Sequence, residues 1–437
     1  MTRAAVIGAG MAGCEAAWQL ARRGVAVTLY EMKPARFSPA HTSPNFAELV
    51  CSNSLKAERV GSAAGLLKAE MEALGSLLVP CAKACRVPAG GALAVDRDAF
   101  SRMVTEKILA EPRITVQRGE CSDFPEGPVI VATGPLTSEP LAQRIEALCG
   151  GSLHFFDAAA PIVTAESVDM TAAFYASRYD RGGESDYLNC PMNKEEYDEF
   201  YAALIAAERA PQHEFDVRPA VYEGCMPIEI MAQRGPDTIR FGPLKPVGLR
   251  DPRTGHRPWA AVQLRREDAA GSLYNLVGFQ TNLKFGEQKR VFGLIPALRH
   301  AEFARYGVMH RNTFLDSPRL LTGGFRLRSE PRLWFAGQMT GVEGYMESAA
   351  SGILAGIDCA RALAGQLGWL PPADTMLGAL CRYISASPAA DFQPMGANFG
   401  ILPPLPDRIR DKQARYQALA DRALASLRAA MPDEKTI

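Results

Sequence analysis

The sequence predicts an α/β protein, a Rossmann-type domain with a parallel sheet that carries an inserted mixed α/β domain. Three stretches carry this expectation. RAAVIGAGMAGCEAAWQLARRGVAVTLYE, residues 3–31, reads as strand, tight turn, helix and strand. PVIVATGP (128–135) and RLWFAGQMTGVEGYMESAASGILAG (332–356) read as further apolar strands that end in glycine, the second followed by a helix of small residues. Between these two, the chain past Pro211 is rich in Gly, Pro and Arg and shows no sustained helical period, so a sheet-containing lobe is expected there.

In the first unit Gly8 permits the turn, Gly10 lets backbone approach a pyrophosphate, and Gly13 lets the helix pack on the strand. The helix N-terminus, opening at Met11 and Ala12, faces the anion. Ala12, Ala16, Ala17 and Leu20 share one side of that helix, which should stop near Gly24. Glu31 closes the second strand, where a carboxylate accepts hydrogen bonds from the ribose hydroxyls of an adenosine, and Met32 and Lys33 follow it. These residues, with Thr133 and Gly134 of the ATG strand end, are the candidate dinucleotide contacts.

Gly337, Gln338, Gly341, Gly344 and Tyr345 are candidates from the last unit, because an Ala-, Ser- and Gly-rich helix admits close approach and its N-terminus can hold a second part of a long cofactor. The arrangement resembles the FAD domain of glutathione-reductase-like flavoproteins. There the last strand is usually followed by Gly-Asp; here the partner of Gly337 is Gln338. The expected division is 1–160 with 317–437 for the FAD-binding domain, and 161–316 for an insertion that faces the substrate and contains the helical stretch NKEEYDEFYAALIAAERA. Near the C-terminus a helix capped by Asp407 is expected, followed by a fraying tail.

Apolar residues make up 47% of the chain and charged residues 22%, the composition of a globular protein. Uncharged runs such as 269–283 are too short for a bilayer span, and the N-terminus enters a strand without room for a signal peptide, so a cytoplasmic protein is expected. Ten scattered cysteines suit reduced thiols; CAKAC (81–85) lacks a second ligand pair, and no metal is expected. Net charge is zero, but from Arg234 to Arg332 there are 18 Lys or Arg against 8 Asp or Glu, a concentration of cations suited to a polyanion or to a solvated face.

Two cysteines lie in unusual surroundings: Cys51 in the polar loop HTSPNFAELVCSNSLK, and Cys225 in YEGCMPIE. From residue type alone each is either a buried filler or a reactive thiolate. GAGMAGCEAAWQLARRG, FAELVCSNSLK, YEGCMPIE, GFQTNLKFGEQKRVFGLIPAL, LWFAGQMTGVEGYMESAASG and FQPMGANFGILP together resemble the folate- and FAD-dependent tRNA uracil-5-methyltransferases, in order and in register to about Pro406. The larger GidA-type wobble-uridine enzyme is expected to be similar over the flavin domain only, with a long C-terminal extension.

The resemblance implies an enzyme that makes ribothymidine at uridine 54 in the T-loop of tRNA, with methylenetetrahydrofolate as one-carbon donor and FAD reduced by NADH or NADPH. It assigns Cys225 as the thiolate that adds to C6 of uracil and Cys51 as the second cysteine, which assists proton removal from C5. Such a thiolate is chemically required, because C5 is a poor nucleophile until the ring becomes an enolate. Glu223 and Glu229 would raise the pKa of Cys225 if they faced it, so its activation must come from a cation or a helix dipole. Tyr345 is placed either to face the isoalloxazine or as a packing aromatic. A flavoprotein oxidoreductase without an RNA substrate is the alternative; it predicts a redox CxxC or a second GxGxxG, and the sequence has neither.

Overall fold

A computed structural model describes residues 2–150, 153–178, 186–210, 226–388 and 392–432, with backbone alone for 153–158 and 310–313. Five parallel strands form one sheet, in the spatial order Leu333–Phe335, Val129–Val131, Arg3–Ile7, Ala26–Glu31, Ile114–Arg118. The three strands on one side of it are apolar and buried apart from the exposed Arg3, as expected of a parallel sheet covered on both faces. All five run the same way, so Gly8, Glu31, Ala132 and Gly337 emerge together at the carboxyl edge, where ligands of open α/β sheets bind.

Two helices start at that edge, Met11–Arg22 and Tyr345–Leu363, and their small residues let them pack backbone to backbone. A Cβ at Gly352 would lie 2.1 Å from the Ala12 carbonyl oxygen, and one at Gly356 would lie 2.9 Å from that of Ala16. This contact explains the run of Ala, Ser and Gly in the second helix.

The other large sheet has six antiparallel strands, ordered Phe174–Tyr175, Tyr187–Met192, Ala260–Arg266, Leu273–Leu276, Ile162–Thr164, Phe303–Arg305. Helix Lys194–Ala206 packs on it through Tyr197, Phe200 and Leu204, its start fixed by a reciprocal Asn193–Glu196 capping box. The apolar residues fall into two main cores, one drawn from residues 4–145 and 314–427, the other from 163–301. An antiparallel ribbon of Leu153–Ala158 and Met309–Phe314 carries the chain from the first core to the second and back.

Two expectations need correction. The C-terminal helix spans Lys412–Ala429 and is capped by Asp411, whose side chain accepts from the Ala414 N–H at 2.7 Å, rather than by Asp407. Residues before it stay irregular because Arg422 binds the carbonyls of Pro403 and Pro404, which fixes that strap against the helix. The loop expected to be polar around Cys51 buries Phe46, Ala47, Leu49 and Leu55, and the Ala47 N–H binds the Ala9 carbonyl at 2.9 Å. The tail 433–437 lies outside the described residues. Among the described residues no helix is long and apolar enough to cross a membrane.

Candidate functional site

A cleft of about 1170 Å³, mouth included, opens along the carboxyl edge of the parallel sheet. Its walls include Gly8, Gly10, Met11, Ala12, Glu31, Met32, Lys33, Thr133, Gly134, Gly337, Gln338 and Tyr345, so twelve of the candidate residues meet in one place. Gly13, Gly341 and Gly344 stand behind it. A Cβ at Gly13 would lie 1.8 Å from the Gly8 carbonyl oxygen, and one at Gly341, which has φ of +84°, would lie 2.4 Å from the Phe392 ring. These glycines permit close packing of the scaffold. Gly10 has open space where its Cβ would be, as a residue needs if its backbone is to face a ligand.

At one end of the cleft the Glu31 carboxylate accepts the N–H groups of Ala9 and Lys33, both at 2.9 Å, which fixes it while each oxygen keeps a lone pair. In the middle lies the N-terminus of Met11–Arg22, whose dipole favours an anion; the second long helix, packed with Gly352 against Ala12, starts seven residues earlier, at Tyr345. Gln338, standing where related strands carry an acid, donates its amide N–H to Glu343 at 2.6 Å. A dinucleotide whose adenosine lies by Glu31 and whose pyrophosphate lies at the start of the Met11–Arg22 helix therefore fits the donor set.

At the far end the Tyr345 hydroxyl accepts the Cys51 N–H at 2.8 Å and lies 3.0 Å from Cys51 Sγ. Burial, and then Cys51, push the Tyr345 phenol well above its ordinary pKa, so it stays neutral. Val50 lines the cleft beside it. The Cys51 loop is tied to the second sheet: Arg265 donates to Asn53 Oδ1 and Ser52 Oγ, each at 2.9 Å, and Asn53 donates to the Arg266 carbonyl at 2.8 Å. Arg97 donates to the Leu49 carbonyl at 2.8 Å and pairs with Glu267 at 2.6 Å. Burial disfavours the Arg97 charge, yet Glu267 outweighs it and holds the guanidinium above its usual pKa. Burial followed by the Arg97 charge lowers the pKa of Arg305.

Cys225 and Glu223 lie outside the described residues. The residues on either side of that segment are anchored together: Ala210 N–H binds the Asn282 carbonyl, and Ile228 N–H binds the Gln280 carbonyl. Glu229 is buried and turned inward, accepting from Asn282 N–H and Thr281 Oγ1, both at 2.8 Å, with burial raising its pKa. Sequence reasoning missed His41 and Glu48, which line the cleft within the quoted Cys51 loop, and Arg97 and Arg265, which hold that loop from distant segments.

A family model described as "GIDA: Glucose inhibited division protein A" matches residues 3–367. Proteins named methylenetetrahydrofolate--tRNA-(uracil-5-)-methyltransferase TrmFO from Lactiplantibacillus plantarum and Enterococcus faecalis are 58% and 56% identical over 423 and 420 residues, about 97% and 96% of this chain and 96% of each relative. The solved structure of Aquifex aeolicus GidA superposes with a TM-score of 0.71 at 15% identity, covering 99% of this chain and 74% of that one, which shows a fold shared along the chain and corrects the expectation of likeness over the flavin domain only. With identity this high along nearly its whole length, the chain belongs to the TrmFO family of methylenetetrahydrofolate--tRNA-(uracil-5-)-methyltransferases, within the GIDA group.

Proposed function

We infer that the protein is a methylenetetrahydrofolate-dependent tRNA uracil-5-methyltransferase that uses FAD and forms 5-methyluridine at position 54 of the T-loop. One observation carries the reading beyond the family: at the end of a cleft lined by the glycine turn and Glu31, a cysteine is held by the Tyr345 hydroxyl on a loop gripped by Arg97 and Arg265. FAD bound there supplies the electrons that turn the folate methylene into a methyl, and NADH or NADPH restores them.

Each part of the chain then has a task. Glu31 holds the ribose, the backbone of Gly10 to Ala12 with Gly337 and Gln338 receives the pyrophosphate, and Thr133 and Gly134 flank it. Cys225 adds to C6 of the uracil, and Cys51 assists removal of the C5 proton. Tyr345 fixes the Cys51 backbone and sulfur with one hydroxyl. Arg97 and Arg265 position the loop by its carbonyls and polar side chains rather than by touching the sulfur. Their guanidinium groups, fixed beside the loop, would also stabilise negative charge developing on the uracil ring. The lobe of residues 161–316, bearing the cationic stretch, faces the tRNA; the cell compartment is the cytoplasm.

The test is to incubate purified protein with an unmodified tRNA transcript, methylenetetrahydrofolate and NADH or NADPH, and to digest the RNA to nucleosides. Ribothymidine at position 54 is expected, absent with Cys225→Ala or Cys51→Ala. Normal product from either variant would remove that cysteine from the chemistry, and methylation elsewhere would change the assigned target.

A further inference from the structure

Three aromatic rings stack in a column on the outer edge of the second lobe. Phe285 lies over Tyr306 with ring centroids 4.7 Å apart and planes 16° off parallel, and Tyr306 lies over Phe303 at 5.0 Å and 6°. The inner end is anchored, since Phe303 packs towards the buried Phe292 and the second core. The outer end is open: Phe285 is 54% exposed at the first position of helix Phe285–Phe292. Gln288 locks the column's two supports together, donating to the Leu283 and Gly307 carbonyls and accepting the Gly307 N–H, each at 2.8 Å.

The surroundings point to an RNA. From residue 284 to 305 the chain carries Lys284, Lys289, Arg290, Arg299 and Arg305 against Glu287 and Glu302. Lys284 and Arg290 are paired with carboxylates, while the exposed Lys289 forms no ion pair among the described residues. The column is also tied to the segment that follows Cys225: the Gln280–Asn282 stretch just before Phe285 holds Ile228 and Glu229, which come a few residues after that cysteine. A ring already fixed by stacking loses little freedom when a flat partner joins it, and every nucleobase has a face to offer.

We propose that the outer face of Phe285 is a platform on which an unpaired base of the tRNA stacks while its neighbour enters the cleft. This rests on the reading of the protein as a tRNA uracil methyltransferase. It gives the lobe a contact that holds the loop by shape and not by charge alone. Because stacking releases no counterions, the contact adds to affinity without adding to its salt dependence.

The test uses full-length protein and tRNA transcripts with 2-aminopurine at single unpaired T-loop positions. Wild type should quench the probe at one of them; Phe285→Ala should abolish that quench, weaken tRNA binding roughly tenfold and leave both the salt slope and the flavin content unchanged. Phe285→Trp should restore affinity and quenching. Binding by Phe285→Ala within about twofold of wild type, with the same quench, overturns the proposal. So does a free wild-type dimer that Phe285→Ala dissociates while RNA binding stays the same, because the face would then belong to a second copy. Failure of the underlying reading has a different signature: wild type itself would neither bind nor methylate the transcript.

Discussion

The Tyr345 hydroxyl holds Cys51 at two atoms, accepting its N–H at 2.8 Å and lying 3.0 Å from its sulfur. Tyr345 begins the long helix whose N-terminus faces the cleft, so the cysteine is registered against the nucleotide scaffold itself. Tyr345→Phe should keep its flavin and its fold yet lose methylation rate by about tenfold to a hundredfold, the scale of a lost positioning or proton-handling contact. Single-turnover kinetics on tRNA transcript, beside the flavin absorbance, checks this; an unchanged rate would make Tyr345 a packing aromatic only.

Arg97 and Glu267 link the two lobes through an ion pair whose side chains are only 15% and 3% exposed. Removing one partner leaves a buried charge unpaired, which costs about 3–5 kcal/mol, while replacing both is far milder. Arg97→Ala should therefore lower the unfolding midpoint sharply, and adding Glu267→Ala should recover much of the loss. Strictly additive losses in that double-mutant cycle would contradict the pairing.

Gly13→Ala places a methyl 1.8 Å from the Gly8 carbonyl oxygen, a contact that backbone cannot accept without moving the turn. The purified variant should be colourless or nearly so, whereas Gly10→Ala, whose Cβ meets no protein atom, should fold normally and lose flavin only through contact with the ligand. The ratio of flavin to protein absorbance reads both, and a fully yellow Gly13→Ala protein would refute the tight turn.

Glu70 is buried and accepts the N–H groups of Met376 and Leu377, both at 2.8 Å; burial raises its pKa to about 7. A carboxyl whose folded pKa exceeds its unfolded value makes the native state bind more protons, so its contribution falls as pH rises from the unfolded pKa through about 7. Relative to Glu70→Gln, wild type should lose on the order of 3 kcal/mol of stability between pH 5 and pH 8. Denaturant titrations of both proteins at the two pH values test this; a constant difference would mean that Glu70 does not titrate in that window.

The nucleotide half of the site was legible because its chemistry is local. Gly8, Gly10, Gly13 and Glu31 sit in one strand–turn–helix–strand unit, and each role follows from spacing. The distinction between glycines that face the cleft and glycines that only permit packing was not legible, since Gly341 owes its need for a bare Cα to Phe392, fifty-one residues on. The arginines around Cys51 were invisible for the same reason. Arg97 follows a strand in the first lobe and Arg265 lies on a strand of the second, and nothing in either local pattern says that they share a loop. The C-terminal cap was misplaced because Asp407 and Asp411 are equally good caps in isolation, and only the structure shows that Asp411 takes the Ala414 N–H.

The ribbon of Leu153–Ala158 and Met309–Phe314 has a further consequence. Because departure and return occur on adjacent, hydrogen-bonded strands, the sheet beneath does not register how much polypeptide was threaded out between them. Chain entropy therefore sets little limit on the length of the appendage, and what fixes the lobe in place is the set of side-chain contacts from Arg97 and Asn53 to Glu267, Arg265 and Arg266.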